Sequence, residues 1–219
     1  MHPHRKNILN VYQQATPSEI QEGKNWYWLA RVTAIRLADR YMLESMQHAA
    51  GIIAALSPSV SWSVNVRDAE AICAARQGEQ VQCSTYGPNI AKAIRIRDGA
   101  NPLTVLGGYK VRRFYRCIVD PSCASVVIDR HAMCLAAGIT LGHDELKRHN
   151  HVLDRYRGFS TVGYHRFERC YQRTARHLEI VPNALQATVW LTWRRLKQVD
   201  AIPRHKWLYD DRRYENAND

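Results

Sequence analysis

Two residues nineteen positions apart, Lys110 and Asp129, offer the chain's clearest chemistry. Lys110 directly follows the turn Leu106-Gly107-Gly108-Tyr109 and opens a basic segment with Arg112, Arg113 and Arg116. Asp129 closes an apolar run, Val126-Val127-Ile128, and heads Arg130-His131-Ala132-Met133. A lysine in its free-amine form attacks electron-poor carbon, and a fixed carboxylate stabilises positive charge developing beside it. Directed at a sugar carbon, that pair could release a group attached there. Each residue also has a plainer reading. Lys110 fits a surface cation on a basic helix, and Asp129 fits an N-cap that accepts from the helix it precedes. His131 reads as a base, a phosphate contact or a packed imidazole.

The turn ahead of Lys110 supplies the setting. Gly107 and Gly108 can take positive φ and let a phosphate approach backbone N–H groups, while the helix that follows points its positive end at the same place. Val111, Phe114, Tyr115 and Ile118 recur at helical spacing and predict the buried face of that helix. The same pattern also suits a simple corner between two helices with solvated arginines.

Charge points the same way. The 219 residues carry 31 Lys and Arg against 20 Asp and Glu, a formal net charge of +11. Such an excess favours a polyanion, most simply nucleic acid, through phosphate contacts and counterion release. Arginine dominates the cations, and its planar fork suits phosphate and stacks on bases. Six cysteines, Cys73, Cys83, Cys117, Cys123, Cys134 and Cys170, form no Cys-x-x-Cys pair, so no zinc ribbon or clustered iron–sulfur loop is expected. His149-Asn150-His151 would point its imidazoles apart on a helix, and no metal or cofactor is expected. No stretch approaches the roughly 18 apolar residues of a membrane span. The opening Met1-His2-Pro3-His4-Arg5-Lys6 leads into no long apolar run. A monomer in the cytoplasm, without membrane contact, is the expectation.

The elements that must position these residues are helices. Thr16-Pro17-Ser18-Glu19 is a capping box with proline at the first helical position. Trp28, Val32, Ile35, Ala38, Met42 and Met46 recur every three or four residues and predict the buried face of a second helix. Further helices are expected near 48–56, 64–76 and 89–97, then a helix, a glycine turn and a helix across 103–119. Two long amphipathic helices follow, at 164–178 and 183–199, the latter with Leu185, Val189, Trp193 and Leu196 as its buried stripe and Trp190 as a further packed residue. Residues 203–219 read as a polar tail. The fold class is all-α, with one helical domain over 1–202.

Four segments, taken together, resemble the helix-hairpin-helix DNA glycosylases. Val105-Leu106-Gly107-Gly108-Tyr109-Lys110 looks like the family's hairpin, and Val127-Ile128-Asp129-Arg130-His131 like its aspartate motif. Leu56-Ser57-Pro58-Ser59-Val60-Ser61-Trp62-Ser63-Val64-Asn65 is similar to the loop that wedges into the base stack. Tyr86-Gly87-Pro88-Asn89-Ile90-Ala91-Lys92-Ala93 resembles a helix start of that family. The matches fall in family order across about 48–138. Leu106 replaces the family's first hairpin glycine, Ser59 and Val60 stand where many relatives carry glutamine, and the iron–sulfur cysteines of one branch are missing. The Ser-Pro-x-x-Ser-Trp and Asp-Arg-His-Ala elements also resemble small uncharacterised proteins encoded by bacteriophages, which would put the chain in a bacterial host's cytoplasm.

The resemblance implies two helical lobes, 48–138 and 1–47 plus 139–202, with an active-site cleft between them. It implies a glycosylase, with or without strand-nicking lyase activity, that extrudes a damaged or modified base from double-stranded DNA. Lys110 would attack the sugar C1′ and Asp129 would stabilise the developing charge; with Lys110 as a phosphate ligand only, Asp129 would activate water. Gly107, Gly108, Tyr109, Arg112, Arg113, Ser57, Ser61, Trp62, Asn65, Lys92 and His131 would contact the DNA. Trp62 reads either as a plug in the base stack or as an interlobe aromatic, and Asn65 as a reader of a base edge or a helix cap. A transferase adding an amine or amino acid to an activated hydroxymethyl-pyrimidine is the second reading on this scaffold, and a non-catalytic DNA-binding module is the third.

Overall fold

The computed structural model describes residues 2–76, 78–138 and 161–197. His149, Asn150, His151, the end of the last expected helix and the expected tail lie outside the described residues. Among the described residues every regular element is a helix, so the protein is all-α.

Ten helices follow in order: α1 (Arg5–Tyr12), α2 (Pro17–Arg40), α3 (Met46–Leu56), α4 (Trp62–Ala74), α5 (Gly87–Arg97), α6 (Pro102–Val105), α7 (Tyr109–Val119), α8 (Arg130–Ala137), α9 (Thr161–His177) and α10 (Pro182–Leu196). The capping box forms as expected. The Thr16 hydroxyl accepts from Glu19 N at 3.2 Å while Glu19 Oε2 accepts from Thr16 N at 2.9 Å. Helix α1 was not foreseen in the sequence. Ile8 and Val11 bury its inner face, and the chain before it docks on the end of α8, where Ala136 O accepts from His4 N at 2.8 Å and Asn7 Nδ2 at 3.0 Å.

The second helix departs from expectation. It ends at Arg40, so Met42 and Met46 are not on it, and its buried residues are Gly23, Tyr27, Ala30, Ala34, Leu37 and Ala38. Trp28, Val32 and Ile35 are 51%, 40% and 38% exposed, and Met42 is 90% exposed. The physical reason is close approach. A Cβ on Gly23 would stand 2.1 Å from Thr188 Oγ1 and 2.6 Å from Thr188 Cα, so α2 meets α10 along small residues. Gly23 and three alanines share the buried face with Tyr27 and Leu37, while Trp28, Val32 and Ile35 fall on the outer side.

Two apolar cores result. One gathers α3 with the second half of α2 and parts of α4, α5 and α7, through residues such as Ala34, Ile52, Ile53, Ile72, Ile96 and Ile118. The other gathers α1, α8, α9 and α10 through Ile8, Ile128, Met133, Tyr171, Leu185 and Val189. A small cluster of Tyr27, Cys117, Val127 and Ala187 lies apart from both. The second half of α2 belongs with the first core, and α8 with the second.

Candidate active site and nucleic-acid interface

The hairpin forms as a glycine turn between α6 and α7. Gly108 sits at φ 70° as the N-cap of α7, in the left-handed region where a side chain would be strained. Gly107 is exposed, and the Lys92 ammonium on α5 comes within 4.0 Å of where a Gly107 Cβ would stand. Lys110 lies in the first turn of α7, half-buried. Arg112 is turned back on the hairpin: its Nε donates to Leu106 O at 2.7 Å and a terminal nitrogen to Leu103 O at 3.1 Å. The arginine thereby holds α6 against α7.

Arg113 is where the structure corrects the expected interface most directly. Its guanidinium is turned inward onto Glu168 of α9, in a fork of 2.7 Å and 3.1 Å, with side-chain exposures of 16% and 5%. The Glu168 hydrogen bond holds the Arg113 guanidinium above its ordinary range despite burial. A guanidinium committed to an interior carboxylate is a structural tie, not a phosphate contact. Tyr109 is likewise packed, with its ring 5.5 Å from Tyr164 and 5.3 Å from His165.

Asp129 is the N-cap of α8, and its Oδ1 accepts from Ala132 N at 2.7 Å. The segment that delivers it, Val126 to Ile128, is buried and belongs to no regular element. Buried backbone groups need partners, and side chains of α9 supply them. Tyr164 donates its hydroxyl to Val126 O at 2.8 Å and accepts from Ile128 N at 3.0 Å, and Glu168 Oε1 accepts from Val126 N at 3.3 Å. Glu168 thus serves Arg113, Val126 and, at 3.1 Å, His165 Nδ1.

His131 lies one residue inside α8. Burial holds its imidazolium below the ordinary histidine range; the Asp129 carboxylate raises it, and Arg130, Lys110 and Arg194 lower it again. Lys110 lies on α7, Asp129 at the head of α8 and Arg194 on α10. An aromatic row runs beside Arg194. Its guanidinium lies 4.4 Å above the Trp190 ring; Trp190 is 5.6 Å from Trp26, and Trp26 is 6.1 Å from Trp62. Trp62 is half-buried at the first position of α4, with its ring beside Trp26 of α2. Trp190 faces this row, while Trp193 is the core residue, 6% exposed. Leu185 and Val189 are buried as expected, and Leu196 is 38% exposed.

The α3–α4 loop carries the remaining candidates. Ser57 Oγ donates to Ala54 O at 2.8 Å and ends α3; Ser61 is the N-cap residue of α4, its Oγ 3.3 Å from Ser63 Oγ. Ser59 sits at φ 62° and is exposed. Asn65 departs from expectation: it is 2% exposed and inside α4, so it neither reaches a base edge nor caps the helix. The loop is braced to the next one by Thr85 Oγ1, which donates to Pro58 O at 3.2 Å. Behind it, buried Asp68 accepts from Ser84 N at 2.6 Å. Among the described residues no group of three or more His, Cys, Asp or Glu side chains is placed to hold a metal, and no helix is long and apolar enough to cross a membrane.

Sequence reasoning missed Trp26, Arg194, Tyr164 and Glu168. Arg194 four residues after Trp190 was a readable i,i+4 signal. Glu168 had none, because its partner lies 55 positions away.

An all-helical protein with these two cores is what the fold defines. The chain belongs to the DUF7178 family, a family of unknown function, whose model matches residues 2–197. No curated protein and no solved structure matches it.

Proposed function

We propose that the protein is a DNA base glycosylase that draws a damaged or modified base out of the duplex, with Lys110 and Asp129 as its catalytic pair. The observation carrying this reading is the glycine turn at Gly108, which sets Lys110 in the first turn of α7, together with Asp129 held at the N-cap of α8. Trp62, Trp26, Trp190 and Arg194 add stacking faces for a base, and the glycine turn with Lys92 beside it suits a phosphate. In the reaction, the Lys110 amine attacks the sugar C1′, the base departs with the bond electrons, and loss of the sugar ring oxygen bond leaves an imine. The Asp129 carboxylate stabilises the cationic sugar as the base leaves.

Borohydride trapping tests this. Reduction of the imine should give a covalent protein–DNA adduct on abasic DNA, or on DNA carrying the right base. Lys110→Ala should abolish it while leaving DNA affinity nearly unchanged. Asp129→Asn, which retains a capping side chain, should slow base release strongly. No adduct on abasic DNA, with base release surviving in Lys110→Ala, would leave a water-using enzyme. No release from any modified DNA, with a base gaining mass, would transfer the assignment to a base-modifying transferase. Neither reaction, with DNA binding intact, would leave a binding module.

A further inference from the structure

Away from Lys110 and Asp129, two thiols face each other. Cys117, fully buried near the end of α7, lies with its sulfur 4.0 Å from that of half-buried Cys123. Cys123 ends the turn that follows α7. Asp120 Oδ1 accepts from Ser122 N at 3.0 Å and from Ser122 Oγ at 2.9 Å, and Asp120 O accepts from Cys123 N at 3.1 Å. Asn183 of α10 ties the outer side of the turn, donating to Pro121 O at 2.9 Å and Cys123 O at 3.4 Å. Cys117 Sγ donates to Ser125 O at 3.4 Å.

We propose that Cys117 and Cys123 are a peroxide-reactive dithiol site, in which Cys123 is oxidised first and Cys117 closes a disulfide onto it. The two environments divide the labour. The Cys117 thiol and the Ser125 backbone and hydroxyl hold the Cys123 thiol down to about 6, against the burial that raises it. Burial pushes Cys117 well above the ordinary thiol range, so it waits as the protonated partner. The thiolate is the reactive form, and half-exposure gives a small peroxide access to Cys123.

Both steps balance. The Cys123 sulfur attacks one peroxide oxygen and the O–O bond breaks; sulfur loses two electrons to become a sulfenic acid, and the departing hydroxide takes a proton and leaves as water. The Cys117 sulfur then attacks the sulfenic sulfur, the S–O bond breaks, and the Cys117 proton leaves with the hydroxide as a second water. A disulfide needs sulfurs about 2.05 Å apart, so the turn must move toward α7 by about 2 Å, a shift a short turn can make more easily than a packed helix.

Half-buried Cys83 is the internal comparison: burial and the Asp68 carboxylate raise its thiol. Hydrogen peroxide with the full-length protein should lower its intact mass by two hydrogens, and peptide mapping should join Cys117 to Cys123. In Cys117→Ala, which removes both the resolving thiol and the contact that lowers Cys123, a dimedone adduct should persist at Cys123 in place of the disulfide, while in the unaltered protein Cys123 should react before Cys83. Alkylation of Cys123 should rise with pH around 6, whereas Cys83 alkylation should rise only at alkaline pH. In Cys123→Ser the two-hydrogen loss should vanish with helical content intact. The proposal is overturned if peroxide leaves the pair as thiols, if Cys83 reacts first, or if Cys123 alkylation lacks the low-pH rise.

Discussion

Arg113→Ala separates an interior tie from a nucleic-acid contact. Arg113 and Glu168 are joined by a two-bond fork of 2.7 Å and 3.1 Å, with side-chain exposures of 16% and 5%. Removing one member of such a pair leaves a buried charge uncompensated, which costs about 3–5 kcal/mol. His165 Nδ1 at 3.1 Å and Val126 N at 3.3 Å remain on Glu168, so the lower end, about 3 kcal/mol, is expected. For a chain of this size that corresponds to a fall in Tm of about 6–12 °C. Arg116, exposed on the same helix, is the control; Arg116→Ala should change stability by less than about 0.5 kcal/mol. Urea unfolding followed by tryptophan fluorescence measures both. Under conditions where Arg113→Ala is folded, its salt dependence of DNA binding should match the unaltered protein's, because no phosphate contact is lost. A loss of stability below about 1 kcal/mol, or a shallower salt dependence, would refute the assignment of Arg113 to the interior.

Two further outcomes follow from the packing of α2 on α10. The Arg195 guanidinium, the Thr16 backbone and the Thr192 hydroxyl hold the Glu19 carboxyl down to about 2 against burial, which raises it. A depressed carboxyl contributes stability above its unfolded value of about 4.3 and loses it as pH falls toward the folded value. Acid titration should therefore show an acid limb between about 4.3 and 2 that Glu19→Gln flattens; an unchanged limb would sink the linkage. Gly23→Ala should destabilise by about 1–3 kcal/mol, since its methyl would meet the Thr188 backbone. Paired with Thr188→Gly it should recover part of that loss in a double-mutant cycle, and strictly additive effects would argue against direct contact.

Much of the local structure was legible because its causes are local. The Thr16 to Glu19 box, the turn at Gly108 and the cap at Asp129 each rest on residues within four positions of one another, and each formed. What stayed hidden depended on distant partners. The buried face of α2 was read as Trp28, Val32 and Ile35 because size was taken as the mark of burial, whereas the inward face holds Gly23 against Thr188, then Tyr27, Ala30, Ala34, Leu37 and Ala38. Arg113 looked like a surface cation until α9 brought Glu168 to it. Asn65 looked available beside a loop, yet its helix turns it inside. Lys110 and Asp129 were legible as types and spacing, and the structure sets them at the starts of two different helices.

The short buried stretch ahead of Asp129 sets a limit on how this protein can be divided. Tyr164 and Glu168 do for Val126 and Ile128 what a neighbouring strand would do, from 36 to 42 positions further along the chain. The carboxylate is thus placed by a part of the polypeptide made after it. Synthesis of the first 138 residues would complete the glycine hairpin while leaving those backbone groups without the partners they use here. Competence should accordingly arrive late and all at once, when α9 closes over the stretch, and a fragment ending at Gly138 would lack it.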